Sequence, residues 1–161
     1  MELGRRCILS SGVTSNPNQA WVSQRLRNLS WRIQDLGLPT LFMICDHDKK
    51  FPFAIKHVLD AEGVTVIRTP IQAPVANCYA ERWVESVSRE CLEWLIILGR
   101  VHLESVLAEY VEHYNRARPH RGPQLQPPEG QVGKASEVEE ISCPVRLGGV
   151  IREYSRLPCA A

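Results

Sequence analysis

An α/β fold with a mainly parallel sheet at its centre is what this sequence predicts, on three observations. Short β-branched and apolar runs alternate along the chain with stretches of helical periodicity, the pattern of strand–helix–strand units. Each helical stretch carries its apolar residues on one stripe. With 161 residues, 44% of them apolar and 23% charged, the chain has ordinary globular composition and the length for one domain with a core.

The elements follow in order. Arg5 to Val13, with Cys7, Ile8, Leu9 and Val13, reads as a strand. Asn16-Pro17 then offers an N-cap and a proline at the first helical position. The helix that follows places Val22, Leu26, Leu29, Ile33 and Leu36 on one face and ends at Gly37, with Pro39 beyond. Leu41 to Cys45 is too short for a helix and is flanked by breakers, so it is expected to be a buried strand. Asp46 to Lys50 is a polar loop. Phe51 to Glu62 is a short helix stopped by Gly63, and Val64 to Ile67 is β-branched and strand-like. From Asn77 a long helix carries Ala80, Val84, Val87, Cys91 and Leu95 on one stripe, widened by Trp83 and Trp94, at about 100° per residue. A further helix from His102 to about Arg116 turns Leu103, Val106, Leu107, Tyr110, Val111 and Tyr114 inward. After Gly122 the composition shifts: Pro123, Pro127, Pro128, Gly130 and Gly133 make a linker. Two regions are therefore expected, a core over residues 1–122 and a proline-rich linker and tail over 123–161, the tail keeping one ordered fragment from Val145 to Tyr154.

Composition narrows the function. No apolar run approaches the roughly 20 residues a membrane span needs, and the N-terminal Met-Glu-Leu-Gly-Arg-Arg has no apolar core of a signal peptide. The six cysteines contain no Cys-x-x-Cys pair. They read as buried small hydrophobes of a reducing, cytoplasmic setting rather than as a disulfide framework or a zinc site. The formal charge of +1 is low for a dedicated DNA binder, so nucleic-acid contact has to come from local patches.

Two carboxylates stand out. Asp46 is the first acid after the Leu41–Cys45 run, where a side chain emerges from the carboxyl end of a sheet. Glu81 lies one turn into the long helix, on the flank between core and solvent. Together they suit Mg²⁺ or Mn²⁺, hard cations that take carboxylate oxygens, waters and substrate phosphate. The plain alternative is a solvated loop acid and a helix-surface glutamate. Among the basic residues Arg116, Arg118, His120 and Arg121 offer phosphate contacts, or else a solvated helix end. Tyr114 and Trp83 have the spacing of core residues rather than of stacking platforms.

Longer motifs change the weight of these readings. Cys45-Asp-His-Asp-Lys-Lys-Phe51, Thr69-Pro-Ile-Gln-Ala-Pro-Val-Ala-Asn-Cys-Tyr-Ala-Glu-Arg-Trp83, Arg89-Glu-Cys91 and His113-Tyr-Asn-x-x-Arg-Pro-His120, followed by Gln126-Pro-Pro, occur in this order. From about Met1 to Pro128 the chain resembles the integrase core of bacterial insertion-sequence transposases. The fragment Arg146-Leu-Gly-Gly-x-Ile-x-Glu-Tyr154 is similar to the end of such proteins. The resemblance implies an RNase H-like fold with a central mixed sheet flanked by helices, followed by an irregular C-terminal tail. It also implies an Asp-Asp-Glu triad holding two divalent metals, with DNA cut and joined by water or a 3′-hydroxyl.

By motif position Asp46 matches the second aspartate and Glu81 the glutamate. Asp48 is the alternative, but the family's ligand lies five residues before the phenylalanine, here Phe51, which favours Asp46. The first aspartate has no counterpart: Glu2 falls at a hairpin and Asp35 ends a helix. The first strand is therefore expected to be missing and the chain N-terminally truncated, with little strand transfer by itself. Ser88 stands where the family often has a basic residue for DNA, with Arg89 shifted beside it, and Cys45 stands where arginine or serine is common. The expected DNA contacts are Arg89, Arg116, Arg118 and Arg121. The expected partners are DNA and either a second copy or a full-length transposase, with no membrane. The alternative is a non-catalytic remnant that binds DNA or a transposase.

Overall fold

The computed structural model describes residues 1–39, 42–46, 56, 59–70, 77–120, 126–129 and 139–158. They form a mixed α/β protein in two compact units, Gly12–Glu81 and Met1–Ser11 with Arg82–Ala161.

In the first unit, α1 (Gln19–Asp35) is capped by Asn18, whose side chain accepts from the Trp21 amide at 2.9 Å. The cap lies two residues past the expected Asn16, because Asn16 and Asn18 first close a turn through their own backbones. Val22, Leu26, Leu29 and Ile33 are half-buried on one face and Leu36 is exposed. Gly37, at φ +58°, ends the helix, and the Gly37 and Leu38 amides donate back to Gln34 and Ile33 carbonyls. A left-handed residue is what lets the chain satisfy those last carbonyls, and glycine adopts it without strain.

Strands β1 (Phe42–Cys45) and β2 (Thr65–Arg68) pair in parallel, from Phe42 with Thr65 to Cys45 with Arg68. Leu59 and Val64 are buried beside β1–β2, with Leu26, Met43 and Val66 packed against them. The helix expected at Phe51–Glu62 lies outside the described residues except for Lys56 and its last turn. That turn stops at Gly63, φ +76°, where Gly63 and Val64 amides donate to Asp60 and Leu59 carbonyls. The Ser30 hydroxyl donates to the Glu62 carboxylate, which ties α1 to this turn.

The second unit departs from expectation at its start. Arg5–Val13 is not a strand: the backbone makes one bridge, Glu2 with Cys7, around a turn with Arg6 at φ +62°. Cys7, Ile8 and Leu9 are nevertheless buried. Instead of a partner strand, Ile8 has the side chain of Asn115, which accepts from its amide at 2.9 Å and donates to its carbonyl at 3.0 Å. A carboxamide carries the donor and acceptor of a peptide group, so it can take a strand's place for one residue.

Helix α2 (Cys78–Glu90) is shorter than its stripe predicts. Cys91, at φ −136° and ψ −64°, leaves helical geometry and opens a 3-10 turn over Leu92–Trp94. Val87 and Cys91 are buried, whereas Val84 and Trp94 are exposed. Helix α3 (Arg100–Arg116) begins two residues before the expected His102 and buries Val106, Leu107, Tyr110, Tyr114 and Asn115. The C-terminal tail, expected to be irregular, has β3 (Glu139–Ser142) paired antiparallel with β6 (Ser155–Pro158). Nested inside, β4 (Val145–Arg146) pairs with β5 (Ile151–Arg152). Gly148 and Gly149, both at positive φ, allow the tight turn between them. The described residues thus hold one parallel and two antiparallel strand pairs. Their five cysteines are all free thiols, and none of their helices is long and apolar enough to cross a membrane.

Candidate metal and nucleic-acid site

Asp46 is the residue after β1 and is exposed, at the carboxyl end of the parallel pair. Its neighbour Cys45 is buried and faces Arg68 across the register. Burial pushes the Cys45 thiol up, Arg68 opposes this, and Asp46 adds to it. Glu81 is exposed in the first turn of α2, where the unpaired amides of a helix start favour a negative charge. Both belong to the Gly12–Glu81 unit. Their oxygens are the hard donors that Mg²⁺ or Mn²⁺ prefers, with waters for the remaining positions. Among the described residues no group of three or more His, Cys, Asp or Glu could hold a metal, and His47 and Asp48 lie outside them. Two carboxylates alone would suit a weakly held hard cation rather than a two-metal clamp.

Of the two earlier acids, Glu2 is engaged locally. The Glu2 carboxylate accepts from the Gly4 and Arg5 amides at 2.8 and 3.0 Å and pairs with the Arg5 guanidinium at 3.1 Å. Asp35 is the last residue of α1.

The predicted phosphate contacts divide. Arg89 is exposed and pairs with Glu85 at 3.0 Å one turn back. Arg116 is exposed beside Glu112 at 3.3 Å and Glu129 at 3.9 Å. Such solvated pairs contribute little, so both guanidiniums can exchange a carboxylate for a phosphate. Arg118 is different: its guanidinium grips Glu90 with two hydrogen bonds, one of 2.7 Å, and lies 5.4 Å from the Tyr114 ring centre. The Tyr110 hydroxyl donates to the same Glu90 carboxylate at 2.8 Å. Burial pushes the Glu90 carboxyl up, but the Arg118 and Tyr110 hydrogen bonds outweigh it and hold the group below the usual range. Arg121 lies outside the described residues. His120 is buried, with its Nε2 3.2 Å from the Tyr114 carbonyl and its ring edge-on to Tyr114 at 4.5 Å. Tyr114 is core, as its spacing says. Trp83 is half-buried, and its buried indole N–H has no hydrogen-bond partner among the described residues.

The motif His113-Tyr-Asn-x-x-Arg-Pro-His120 is thus mostly a set of internal bonds. His113 meets Glu153 of the tail at 2.9 Å, and Arg146 pairs with that same Glu153 at 2.9 Å and with Glu112 at 3.3 Å. Past the motif, the Glu129 amide donates to the Asn115 carbonyl at 2.7 Å, and the Cys7 thiol donates to the Glu129 carboxylate at 3.0 Å. Burial, then Glu129, pushes the Cys7 thiol up to about 12, so it stays protonated. Sequence reasoning missed Asn115 and Glu90 as organising residues. The signal available was polar side chains at fixed places between the apolar positions of a helix, which is where buried partners are held.

Residues 62–128 match the family model of the integrase core domain. No curated protein and no solved structure matches the chain. The matched stretch contains Glu81, Arg89, Arg116, Arg118 and Arg121 together with the Glu90–Arg118 pair, while Asp46 precedes it. Residues 62–128 are therefore similar to a segment of the integrase core domain.

Proposed function

We propose that the chain is a catalytic-core part of a DNA transposase or integrase of the Asp-Asp-Glu type, with Asp46 and Glu81 as two of its three metal ligands. The integrase core match over residues 62–128, which includes Glu81, carries this reading. The exposed Asp46 at the carboxyl end of a parallel strand supports it, since sites on open α/β sheets form there. On this reading residues 1–122 are the core, of RNase H-like type, and 123–161 an appendage.

Asp46 and Glu81 would hold Mg²⁺ or Mn²⁺, which when bound supplies Lewis-acid stabilisation of charge at a phosphate. Arg89, Arg116 and Arg121 neutralise DNA phosphates. Arg118 holds α2 against α3 through Glu90 and so fixes the helix that bears Glu81. Two carboxylates bind Mg²⁺ weakly, because it dehydrates reluctantly and demands near-octahedral geometry. On this reading Asp46 and Glu81 supply two of the three acids, and strand cleavage with those two alone is expected at background.

The test is Mn²⁺-dependent nicking of DNA by this chain and by a longer protein that adds an aspartate-bearing strand ahead of Met1. The longer protein nicks DNA, and Asp46→Ala or Glu81→Ala each lowers the rate at least about 100-fold, the size of effect seen when a principal transition-state stabiliser is removed. Unchanged rates in both variants would sink the assignment. The second reading is a non-catalytic remnant that binds DNA or a full-length transposase. Arg89, Arg116 and Arg121 lie inside the matched stretch, which supports this reading. Mobility-shift and co-purification measurements without metal separate the two.

A further inference from the structure

Helix α1 turns a basic face to solvent. From Leu3 to Gln34 the chain has five arginines and no aspartate or glutamate, so at a formal total of +1 the remainder is net negative. Three of the five, Arg25, Arg27 and Arg32, are on α1. The helix keeps Val22, Leu26, Leu29 and Ile33 half-buried on one side, and Gln24, Arg27, Asn28, Trp31 and Arg32 are exposed on the other. At about 100° per residue, Gln24, Asn28 and Trp31 form the middle of that face. Arg27 flanks them on one side, and Arg25 with Arg32 on the other.

The face is charged and partly set in place. Arg27 and Arg32 have no ion pair among the described residues, whereas Arg89 and Arg116 each have a glutamate. The Arg25 guanidinium lies 5.4 Å from the Trp21 ring centre and against Gly12, where any Cβ would collide with it. The Gln24 side-chain amide donates to the Asn28 side-chain oxygen at 2.9 Å. That leaves the Gln24 oxygen as an acceptor and the Asn28 amide as a donor. The first turn of α1 has no acid, so the positive end of the helix dipole adds to the same sign. Asp35, the last residue, is the one acid on the helix.

We propose that the outer face of α1 binds duplex DNA, the helix lying in a groove with its arginines on the phosphates to either side. A helix with its side chains is about 10–12 Å across, which is close to the width of the major groove. Guanidinium forks match phosphate oxygens, and carboxamides match base edges. An acidic protein surface would occupy the arginines and leave Gln24, Asn28 and the Trp31 ring without a role. The choice of DNA as the polyanion rests on the reading of this chain as part of a transposase or integrase. The face itself precedes the matched residues 62–128 and includes none of Arg89, Arg116 and Arg121.

Fluorescence anisotropy of the full chain on a short mixed-sequence duplex, metal-free and from about 50 to about 200 mM salt, is the test. Arg27→Gln and Arg32→Gln, both at exposed positions, are each expected to weaken binding about threefold to tenfold. Each should also lower the slope of log K against log salt by about 1. Arg27→Lys keeps the slope, because the charge remains. Arg100→Gln, which removes an exposed arginine elsewhere, leaves it unchanged, and poly-glutamate competes poorly at equal charge. If Arg116→Ala lowers the slope and neither α1 variant does, the α1 face is overturned while the reading of the chain stands. No duplex binding at all overturns the face together with the contacts proposed for Arg89, Arg116 and Arg121. Equal slope losses in Arg100→Gln, or poly-glutamate competing as well as DNA, reduce the effect to general charge and also overturn the proposal.

Discussion

Asn115 satisfies both backbone groups of Ile8 from the side, and Ile8 is buried. Asn115→Ala would strand an amide and a carbonyl away from water, each at about 1–3 kcal/mol. The expected loss is about 2–4 kcal/mol, read from the urea midpoint at constant m value. Asn115→Asp keeps the acceptor for the Ile8 amide and loses the donor, so it falls between. The buried His120 sets a pH dependence. Burial holds its imidazole below the ordinary 6.5, with Arg118 and Arg6 reinforcing this against the Tyr114 carbonyl and Glu90. The unfolded chain then binds the proton more readily than the folded one. The stability tied to His120 is complete above pH 6.5 and is lost as the pH falls through the folded value. Glu90 and Glu153, both held below their ordinary 4.5, follow the same sign lower down. Urea midpoints against pH should fall in two stages, one below about 6.5 and one below about 4.5. His120→Gln should flatten the first stage while leaving the second; an unaltered first stage would discount His120 as its source.

Among elements, α2 and α3 are joined at Glu90, where one carboxylate takes both Arg118 and Tyr110. Two motifs that look separate in the sequence, Arg89-Glu-Cys91 and the one ending at His120, are therefore two halves of one clamp. The Glu90 side chain is 40% exposed, so solvent screens part of the attraction. Arg118→Ala is expected to cost about 1–2 kcal/mol, seen as a lower urea midpoint. The tail is fixed in the same manner: Glu153 reaches His113, and Arg146 spans Glu153 and Glu112. Element identity was legible for α1, β2 and α3, and was misread at Arg5–Val13, where an apolar run is not a strand. The 4-3-4-3 apolar spacing marks α1, β-branching marks β2, and the inward row of α3 lies where its periodicity puts it. The end of α2 was not legible, because Cys91 and Leu95 continue the stripe in sequence while Leu92–Trp94 takes a 3-10 turn. Apolar residues at helical spacing describe a possible face; whether the backbone continues depends on what that face meets.

For the molecule as a whole, a formal charge of +1 means that the proposed DNA binding would rest on a few exposed arginines and should be strongly salt-dependent. Arg116→Ala should reduce the slope of log K against log salt by about 1, measured by fluorescence anisotropy on a short duplex. Arg118→Ala should leave that slope in place, since its guanidinium already serves Glu90. A slope lowered by Arg118→Ala and untouched by Arg116→Ala would reverse these assignments.

The sequence by itself determined the α/β character, strands expected at Leu41–Cys45 and Val64–Ile67 and found at Phe42–Cys45 and Thr65–Arg68, the helix before them, and the placing of Asp46 after a strand and Glu81 in a first helical turn. All of these follow from short-range periodicity and breakers. Only the tertiary structure decided that Ile8 is completed by Asn115 rather than by a strand, that Arg118 faces inward to Glu90, and that Trp94, Ile96 and Leu98 face out. Each of those outcomes turns on a residue's distant neighbour, and a one-dimensional pattern records the chemistry of a side chain without the partner that uses it.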